Sequence, residues 1–205
     1  MHTGCCQEVQ GCVCIDGKAS TTMSHREWAK LIAYVPQMPE RPYAIRVLDV
    51  VLPGRLPYIG FRPGRRDYEV AYEVPEEPGI SHLSNRYVHE LSGGQYQLVQ
   101  IARALAQEPR VLLLDEPVTN LDLKYQVLVL EILRRIAREK GISILMSLHD
   151  VNLALKYSDR LVFMKDGKIV AYGLSPSTLG PSIIMEVYGV DAKVMWVDGG
   201  PRVII

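Results

Sequence analysis

The sequence predicts an α/β protein whose core is a parallel sheet, with a mostly helical subdomain inserted into it. After Leu91, short apolar runs of strand length alternate with stretches of helical periodicity, which is typical of a parallel sheet with helices on both faces. Between residues 39 and 91, seven prolines and many charges leave only short helical patterns. We therefore expect a single domain over residues 1–205, with a helical subdomain at about 39–91.

The first part of the chain contains two predicted strands. Residues 12–17, CVCIDG, alternate as a short strand that ends in an Asp-Gly turn. Residues 31–37, LIAYVPQ, form a second strand, which Pro36 interrupts. Residues 45–52 then have a helical pattern. Two strands therefore precede the helical subdomain.

The second part of the chain alternates helix and strand. Leu98, Ile101, Ala102 and Leu105 lie on one face of a helix predicted over 95–107. The other predicted elements are a strand covered on both faces at 111–114, a helix at 124–140 that ends at Gly141, a buried strand at 142–148, a short helix at 151–157, and a hairpin at 160–173 that turns at Asp166-Gly167.

The charge and hydropathy of the chain restrict its partners. Lys and Arg together number 23, and so do Asp and Glu, which argues against binding to nucleic acid or anionic lipid by bulk charge. No stretch approaches the roughly 18 consecutive apolar residues of a membrane span, and the opening MHTGCCQEVQ lacks the features of a secretory signal. We therefore expect a cytosolic protein without a nucleic-acid partner, which reaches a membrane only through another protein.

All four cysteines lie near the start of the chain: Cys5, Cys6, Cys12 and Cys14. Thiolates clustered in this way can bind a soft metal. Cys12 and Cys14, however, alternate with apolar residues as in a strand, where a reduced cysteine packs as a small apolar side chain. We favour this packing interpretation, and metal binding is the alternative.

Two motifs contain the residue types of a nucleotide site. VLLLDE (111–116) is an apolar strand that delivers two carboxylates at its carboxyl end, where one can hold Mg²⁺ and the next can orient or deprotonate a water. LSGGQ (91–95) opens a helix with two glycines, so that bare N–H groups and the positive end of the helix dipole form a phosphate cradle. Each motif alone also has an ordinary interpretation: a solvated acidic loop for the first, and a Ser N-cap with a glycine turn for the second.

The order of the motifs resembles that of a known family. From about Gly11 to Gly173, the sequence is similar to the ATP-binding-cassette (ABC) ATPases. The motifs are AYVPQ (33–37), LSGGQ (91–95), IARAL (101–105), LLLDEP (112–117), NLD (120–122) and LHD (148–150). Such a set, in order and in matching structural context, rarely arises by chance. The resemblance implies a P-loop NTPase-like fold, ATP and Mg²⁺ as ligands, and ATP hydrolysis.

The resemblance implies a role for each residue of the candidate site. Asp115 would hold Mg²⁺, and Glu116 would be the general base. Gln37 would touch Mg²⁺ and the attacking water, and would relay that state to the membrane partner. His149 would contact the γ-phosphate; on its own it would be interpreted as a capping or core histidine. Five residues would face a second subunit. The four of the signature are Ser92, Gly93, Gly94 and Gln95, and the one at the dimer seam is Asp122.

Longer stretches resemble one subgroup of the family, the ATPases of importers of iron–siderophore complexes, haem and cobalamin. These stretches are GRLPYIG (54–60), ISHLSNRYVHELSGGQ (80–95), LHDVNLALKYSDR (148–160) and VYGVDAKV (187–194). The implied partners are transmembrane permease subunits, a second ATPase subunit and, indirectly, a substrate-binding protein. The implied location is the cytoplasmic face of the cell membrane.

The phosphate-binding loop of the family, GxxxxGK[ST], does not occur in the sequence. GCVCIDGKA (11–19) has five residues between its glycines, and Ala19 stands where Ser or Thr is required. We therefore expect an N-terminally truncated ABC ATPase fold with exposed apolar sheet surface and no ATP turnover by the chain alone. Two alternatives are a degenerate subunit that donates only its LSGGQ to a partner, and a DNA-repair or ribosome-associated ATPase with the same core.

Overall fold

The computed structural model describes residues 11–37, 41, 43–175, 178–197 and 200–205. Its strands are β1 (Cys14–Ile15), β2 (Lys18–Ala19), β3 (Ile32–Val35), β4 (Val111–Leu114), β5 (Ser143–Met146), β6 (Leu161–Lys165), β7 (Lys168–Leu174), β8 (Lys193–Val197) and β9 (Gly200–Ile204). Its α-helices are α1 (His25–Leu31), α2 (Val47–Val51), α3 (Arg65–Glu73), α4 (Gly93–Leu105), α5 (Leu123–Lys140), α6 (Val151–Tyr157) and α7 (Pro181–Tyr188).

A three-stranded parallel sheet forms the centre of the described chain, in the order β3-β4-β5. Val35 pairs with Leu114, and Leu114 pairs with Met146, so the three strands end in register. The segments that follow these strands therefore leave the sheet at the same edge, where open parallel sheets bind ligands. This confirms the predicted parallel α/β core.

One face of this sheet is packed against α4 and α5. Ala33, Val35, Leu112 and Leu114 point to this side and are buried. The helices contribute a matching apolar stripe, which includes Leu98, Val99, Ile101, Val129, Leu130 and Leu133. Because side chains alternate along a strand, this single face accounts for the buried half of β3 and β4.

The opposite face of the sheet is open in the described residues. Tyr34 is 58% exposed and Leu145 is 62% exposed, and Leu113 between them is half-buried. The predictions that β4 is covered on both faces and that β5 is buried are therefore wrong for the described chain, since helices pack on one side only. The exposed apolar sheet surface expected from the sequence lies here.

Short helices and 3₁₀ turns make up most of residues 43–90, between β3 and α4. Arg55 anchors this segment to the end of α4. It is buried, donates to the Ala106 carbonyl at 2.7 Å, and pairs with Glu108 at 2.7 Å and Asp67 at 3.3 Å. Breaking such a buried pair leaves an uncompensated charge, so these contacts fix the segment on the core.

A second, smaller apolar cluster lies towards the end of the chain. It contains Leu155 of α6, Leu161 and Phe163 of β6, and Ile184 of α7. The hairpin β6–β7 turns at Asp166-Gly167, as predicted. The Asn152 side chain joins α6 to the hairpin β8–β9, since its Oδ1 accepts from the Val203 N–H at 2.8 Å and its Nδ2 donates to the Val203 carbonyl at 3.1 Å.

The hairpin β1–β2 does not place its cysteines in a core. Cys12 and Cys14 are free and exposed, and Ile15 is the buried residue of β1. The prediction that these cysteines pack as apolar side chains is therefore wrong, because the hairpin has two-residue strands that pair only with each other. Cys5 and Cys6 lie outside the described residues.

In the part of the chain that the structure describes, none of the helices combines the length and apolar character needed to cross a bilayer.

Candidate active site

The three strand ends bring the predicted catalytic residues together. Gln37 follows β3, Asp115 and Glu116 follow β4 directly, and His149 follows β5. Glu116 has a φ of 46°, in the left-handed region that non-glycine residues rarely adopt. This turn ends the strand and directs the Glu116 carboxylate towards the segments that follow the two neighbouring strands.

The Glu116 carboxylate is the centre of a hydrogen-bond cluster. Its Oε2 accepts from Gln37 Nε2 and, at 2.9 Å, from Thr119 Oγ1. Its Oε1 contacts His149 Nε2. The Glu116 side chain is 16% exposed and the His149 side chain is 79% exposed, so the carboxylate sits inside the cluster and the imidazole faces solvent.

These donors control the protonation of Glu116. The Thr119 hydroxyl contributes most to holding the pKa of Glu116 below its ordinary value; burial, the next largest effect, raises this pKa, and the contacts with His149 and Gln37 lower it again. Glu116 is therefore ionised at neutral pH, as an acceptor for a water proton must be.

Ser147 links the two carboxylates of the site. Its hydroxyl donates to Asp115 Oδ1 at 2.8 Å and accepts from the Glu116 N–H at 2.8 Å. On the open sheet face, Tyr34 lies beside Asp115, since burial first and then the negative charge of Asp115 raise the pKa of the Tyr34 hydroxyl. Asp115 is thus held by the serine that follows β5 and bordered by a tyrosine from β3.

The residues at this sheet edge fit Mg²⁺. Asp115 offers a carboxylate and Gln37 offers an amide oxygen, which are the hard donors that Mg²⁺ prefers. The described chain contains no group of three or more His, Cys, Asp or Glu arranged around a metal. Mg²⁺ in nucleotide sites usually takes only one or two carboxylates from the protein, and water and phosphate oxygens complete its shell.

The LSGGQ segment forms the start of α4. Ser92 is the N-cap, with its hydroxyl accepting from the Gln95 N–H at 3.2 Å and its own N–H donating to Gln95 Oε1 at 3.0 Å. Ser92 and Gly93 are exposed. A Cβ on Gly94 would lie 2.2 Å from the Tyr125 ring, so glycine is required there for α4 to approach α5.

Asp122 borders this segment. It is the N-cap of α5, and its Oδ1 accepts from the Tyr125 N–H at 2.9 Å. The preceding Leu121 lies 3.7 Å from the position of a Cβ on Gly93. The predicted signature residues and Asp122 therefore lie on neighbouring helix starts, and none of the hydrogen bonds that the structure gives Glu116 leads to them.

Sequence reasoning missed Thr119 and Ser147. Thr119 stands three residues after Glu116 in the loop before α5, and Ser147 stands two residues before His149. Hydroxyl residues so close to the motif residues are the signal that was available, but their partners depend on the register of β4 and β5.

A parallel sheet with a carboxylate pair at its carboxyl edge, joined there by a glutamine and a histidine, fits a nucleotide-hydrolysing ATPase. Comparison with known families gives the class more closely: residues 1–119 match the ABC transporter family. The chain belongs to this family of ATP-hydrolysing subunits.

Several curated proteins are similar to the chain. It is 43% identical over 195 residues to an uncharacterized ABC transporter ATP-binding protein of Methanocaldococcus jannaschii, covering 95% of this chain and 76% of that protein. It is 38% identical to the hemin import ATP-binding protein HmuV of Bordetella avium, covering 92% and 75%. It is 39% identical to the iron(3+)-hydroxamate import ATP-binding protein FhuC of Bacillus subtilis, covering 90% and 70%.

Solved structures of ABC ATPases share the fold. A transporter assigned to the metal-chelate type, in an inward-facing conformation, matches with a TM-score of 0.77 and 29% identity, covering 84% of this chain and 70% of that chain. A dimeric ATP-binding cassette bound to ADP and Pi, in a post-hydrolysis state, matches with a TM-score of 0.65 and 30% identity, covering 80% and 72%.

Proposed function

We propose that the chain is the ATP-hydrolysing subunit of an importer for metal chelates of the iron–siderophore, haem or cobalamin type. The main support is the convergence of Gln37, Glu116 and His149 at one sheet edge, which has the residue types for activating a water against a phosphoryl group. The cargo class is supported by the hemin and iron-hydroxamate importers among the similar proteins.

In the proposed mechanism, Glu116 orients the attacking water and accepts its proton. Asp115, fixed by Ser147, would hold Mg²⁺, which would supply neutralisation of charge on the phosphates. Gln37, now in contact with Glu116, would offer its amide to the water and the cation. His149, which is largely exposed, turns its Nε2 to the γ-phosphate. These ionisable and amide side chains lie in one cluster, and catalysis by proximity requires the reacting groups to be held close together.

The signature segment serves a second subunit in this proposal. Ser92, Gly93 and Asp122 are exposed and Gln95 is half-buried at these helix starts, whereas Gly94 is buried against α5. Exposed N–H groups at the start of the 13-residue helix α4 suit a phosphate held by the opposite ATPase subunit. The similar dimeric cassette with ADP and Pi supports such an arrangement.

The complete importer would also contain transmembrane permease subunits. A substrate-binding protein would act through these subunits from the side of the membrane opposite the ATPase. The ATPase would then lie at the cytoplasmic face. We assign the helical segment at about 39–91 as a subdomain within one domain of residues 1–205.

Cargo uptake by intact cells tests this proposal. Cells lacking the gene for this chain should lose ATP-driven uptake of one metal chelate, tested with a ferric hydroxamate, haem and cobalamin, and the unaltered gene should restore it. Glu116→Gln should not restore uptake, because the amide cannot accept the water proton. Full uptake with Glu116→Gln would refute its role as base, and unchanged uptake of all three chelates without the chain would refute the cargo class.

A further inference from the structure

The exposed thiols of Cys12 and Cys14 lie side by side on the hairpin β1–β2. Their Sγ atoms are 3.9 Å apart, and both cysteines are free. A disulfide would require about 2.05 Å between the sulfurs, so the two sulfurs are not bonded to each other in the structure. Since neither side chain is buried in a core, packing does not explain why two thiols are held next to each other.

The distance between the two sulfurs is close to the distance between two thiolates that bind the same soft cation. In a tetrahedral thiolate site the metal–sulfur bonds are about 2.3 Å, which places two sulfur ligands about 3.8 Å apart. The 3.9 Å between Cys12 and Cys14 Sγ atoms is close to this value. A cation could therefore bind both sulfurs without rearrangement of the hairpin.

We propose that Cys12 and Cys14 form a chelating pair for a thiophilic cation of the Zn²⁺ type. The hydrogen bond of the Cys14 thiol with Cys12, and then the charge of a Cys12 thiolate, raise the pKa of Cys14, because a second negative charge beside the first is unfavourable. A bound dication removes this repulsion, since it takes both sulfurs as thiolates.

This site differs in chemistry from the oxygen-rich edge at Asp115 and Glu116. Thiolates select soft or borderline cations, and carboxylate and amide oxygens select Mg²⁺. In the described part of the chain, no third His, Cys, Asp or Glu completes a metal-binding group. The pair therefore supplies two ligands, and water takes the other coordination positions.

Zn²⁺ titration of the purified full chain, with its thiols kept reduced, tests the proposal. In competition with a chromophoric chelator, the chain should bind one equivalent of Zn²⁺, and the double variant Cys12→Ser/Cys14→Ser should lose this binding. Cd²⁺ in place of Zn²⁺ should give a thiolate-to-metal charge-transfer band that disappears in the same variant. A large excess of Mg²⁺ should displace neither cation.

The matched control is Cys5→Ser/Cys6→Ser, which removes the same number of thiols from the same end of the chain. Retained binding in this control supports the proposal, and loss in both double variants would overturn it, because the site would then not be the pair Cys12 and Cys14. Loss only in the control would overturn it. So would full Zn²⁺ affinity in Cys12→Ser/Cys14→Ser, or in either single Ser variant, with circular dichroism confirming the fold.

Discussion

At the scale of single residues, the Thr119 hydroxyl determines how strongly Glu116 holds its proton. Thr119 Oγ1 donates to Glu116 Oε2 at 2.9 Å, on the oxygen that also accepts from Gln37. It is the largest of the influences that lower the Glu116 pKa. A base with a lowered pKa is ionised but weak, so in the proposed role as base Glu116 would act better once its contacts with Thr119 and Gln37 are partly released.

We expect Thr119→Ala to raise the pKa of Glu116 towards the ordinary value of 4.5, and Thr119→Ser to leave it low. A lowered pKa in the folded state stabilises the protein above the unfolded-state pKa, and this stability is lost as pH falls through the folded-state pKa. The Ala variant should therefore lose less stability than the parent on acidification. Carbon-13 NMR titration of Glu116 and urea unfolding at neutral and acidic pH measure both effects; an unchanged pKa would contradict the role of Thr119.

Ser147 should matter through the backbone as well as through Asp115. Ser147→Ala removes the acceptor of the Glu116 N–H, which is worth about 1 kcal/mol, or roughly fivefold in local opening. Amide hydrogen exchange at Glu116 should accelerate by about this factor, and Ser147→Thr should preserve the parent rate. Equal exchange in the Ala variant and the parent would show that the bond does not hold the strand end.

Motif order was sufficient to predict Gln37, Glu116 and His149, since each follows a strand of a recognisable parallel unit. It was not sufficient for Thr119 and Ser147. Ser147 contacts Asp115 only because β4 and β5 end in register, and Thr119 turns back to Glu116 only because Glu116 has a positive φ. Both conditions arise from tertiary structure and leave no pattern in the sequence.

At the scale of elements, two neighbouring glycines at the start of α4 have different functions in packing. A Cβ on Gly94 would lie 2.2 Å from the Tyr125 ring of α5, whereas a Cβ on Gly93 would have its nearest neighbour at 3.6 Å. The LSGGQ motif therefore combines an exposed helix start, which we propose as a phosphate cradle, with a close helix–helix contact. The two sequence interpretations, cradle and Ser N-cap, are compatible, since Ser92 caps the helix in either case.

We expect Gly94→Ala to destabilise the fold by about 1–3 kcal/mol, because overpacking forces α4 and α5 apart. Gly93→Ala, the matched control, should change the free energy of unfolding by less than about 0.5 kcal/mol. Urea unfolding of the two variants measures the difference. Equal stabilities would mean that Tyr125 can move away at no cost and that the second glycine serves only the phosphate.

At the scale of the whole molecule, the sequence predicted the alternation of elements but not which faces they cover. The apolar runs VLLL (111–114) and ISILMSL (142–148) indicate strands buried on both sides, and the structure covers one side. Periodicity reports the apolar character of a side chain, and it does not report whether a partner element is present to bury it. The exposed cysteines of β1 were mispredicted for the same reason.

The open face has a measurable consequence. Tyr34, Leu113 and Leu145 line an apolar cleft of about 250 Å³ that reaches Asp115 and Ser147 at the sheet edge. Exposed apolar sheet surface of this kind promotes association between molecules. Leu145 is the most exposed aliphatic residue of this cleft, at 62%, and contributes little to the core. Replacing it with a charged residue should therefore reduce association without loss of stability.

We expect Leu145→Glu to lower concentration-dependent association and binding of an apolar dye to the purified chain, with the urea midpoint unchanged. Ile169→Glu is the matched control, because Ile169 is 60% exposed on β7, outside the central sheet, and its substitution should leave association as in the parent. Light scattering and dye fluorescence over a concentration series distinguish the two variants. If both reduce association equally, general surface charge is the cause, and the open sheet face has no special part in it.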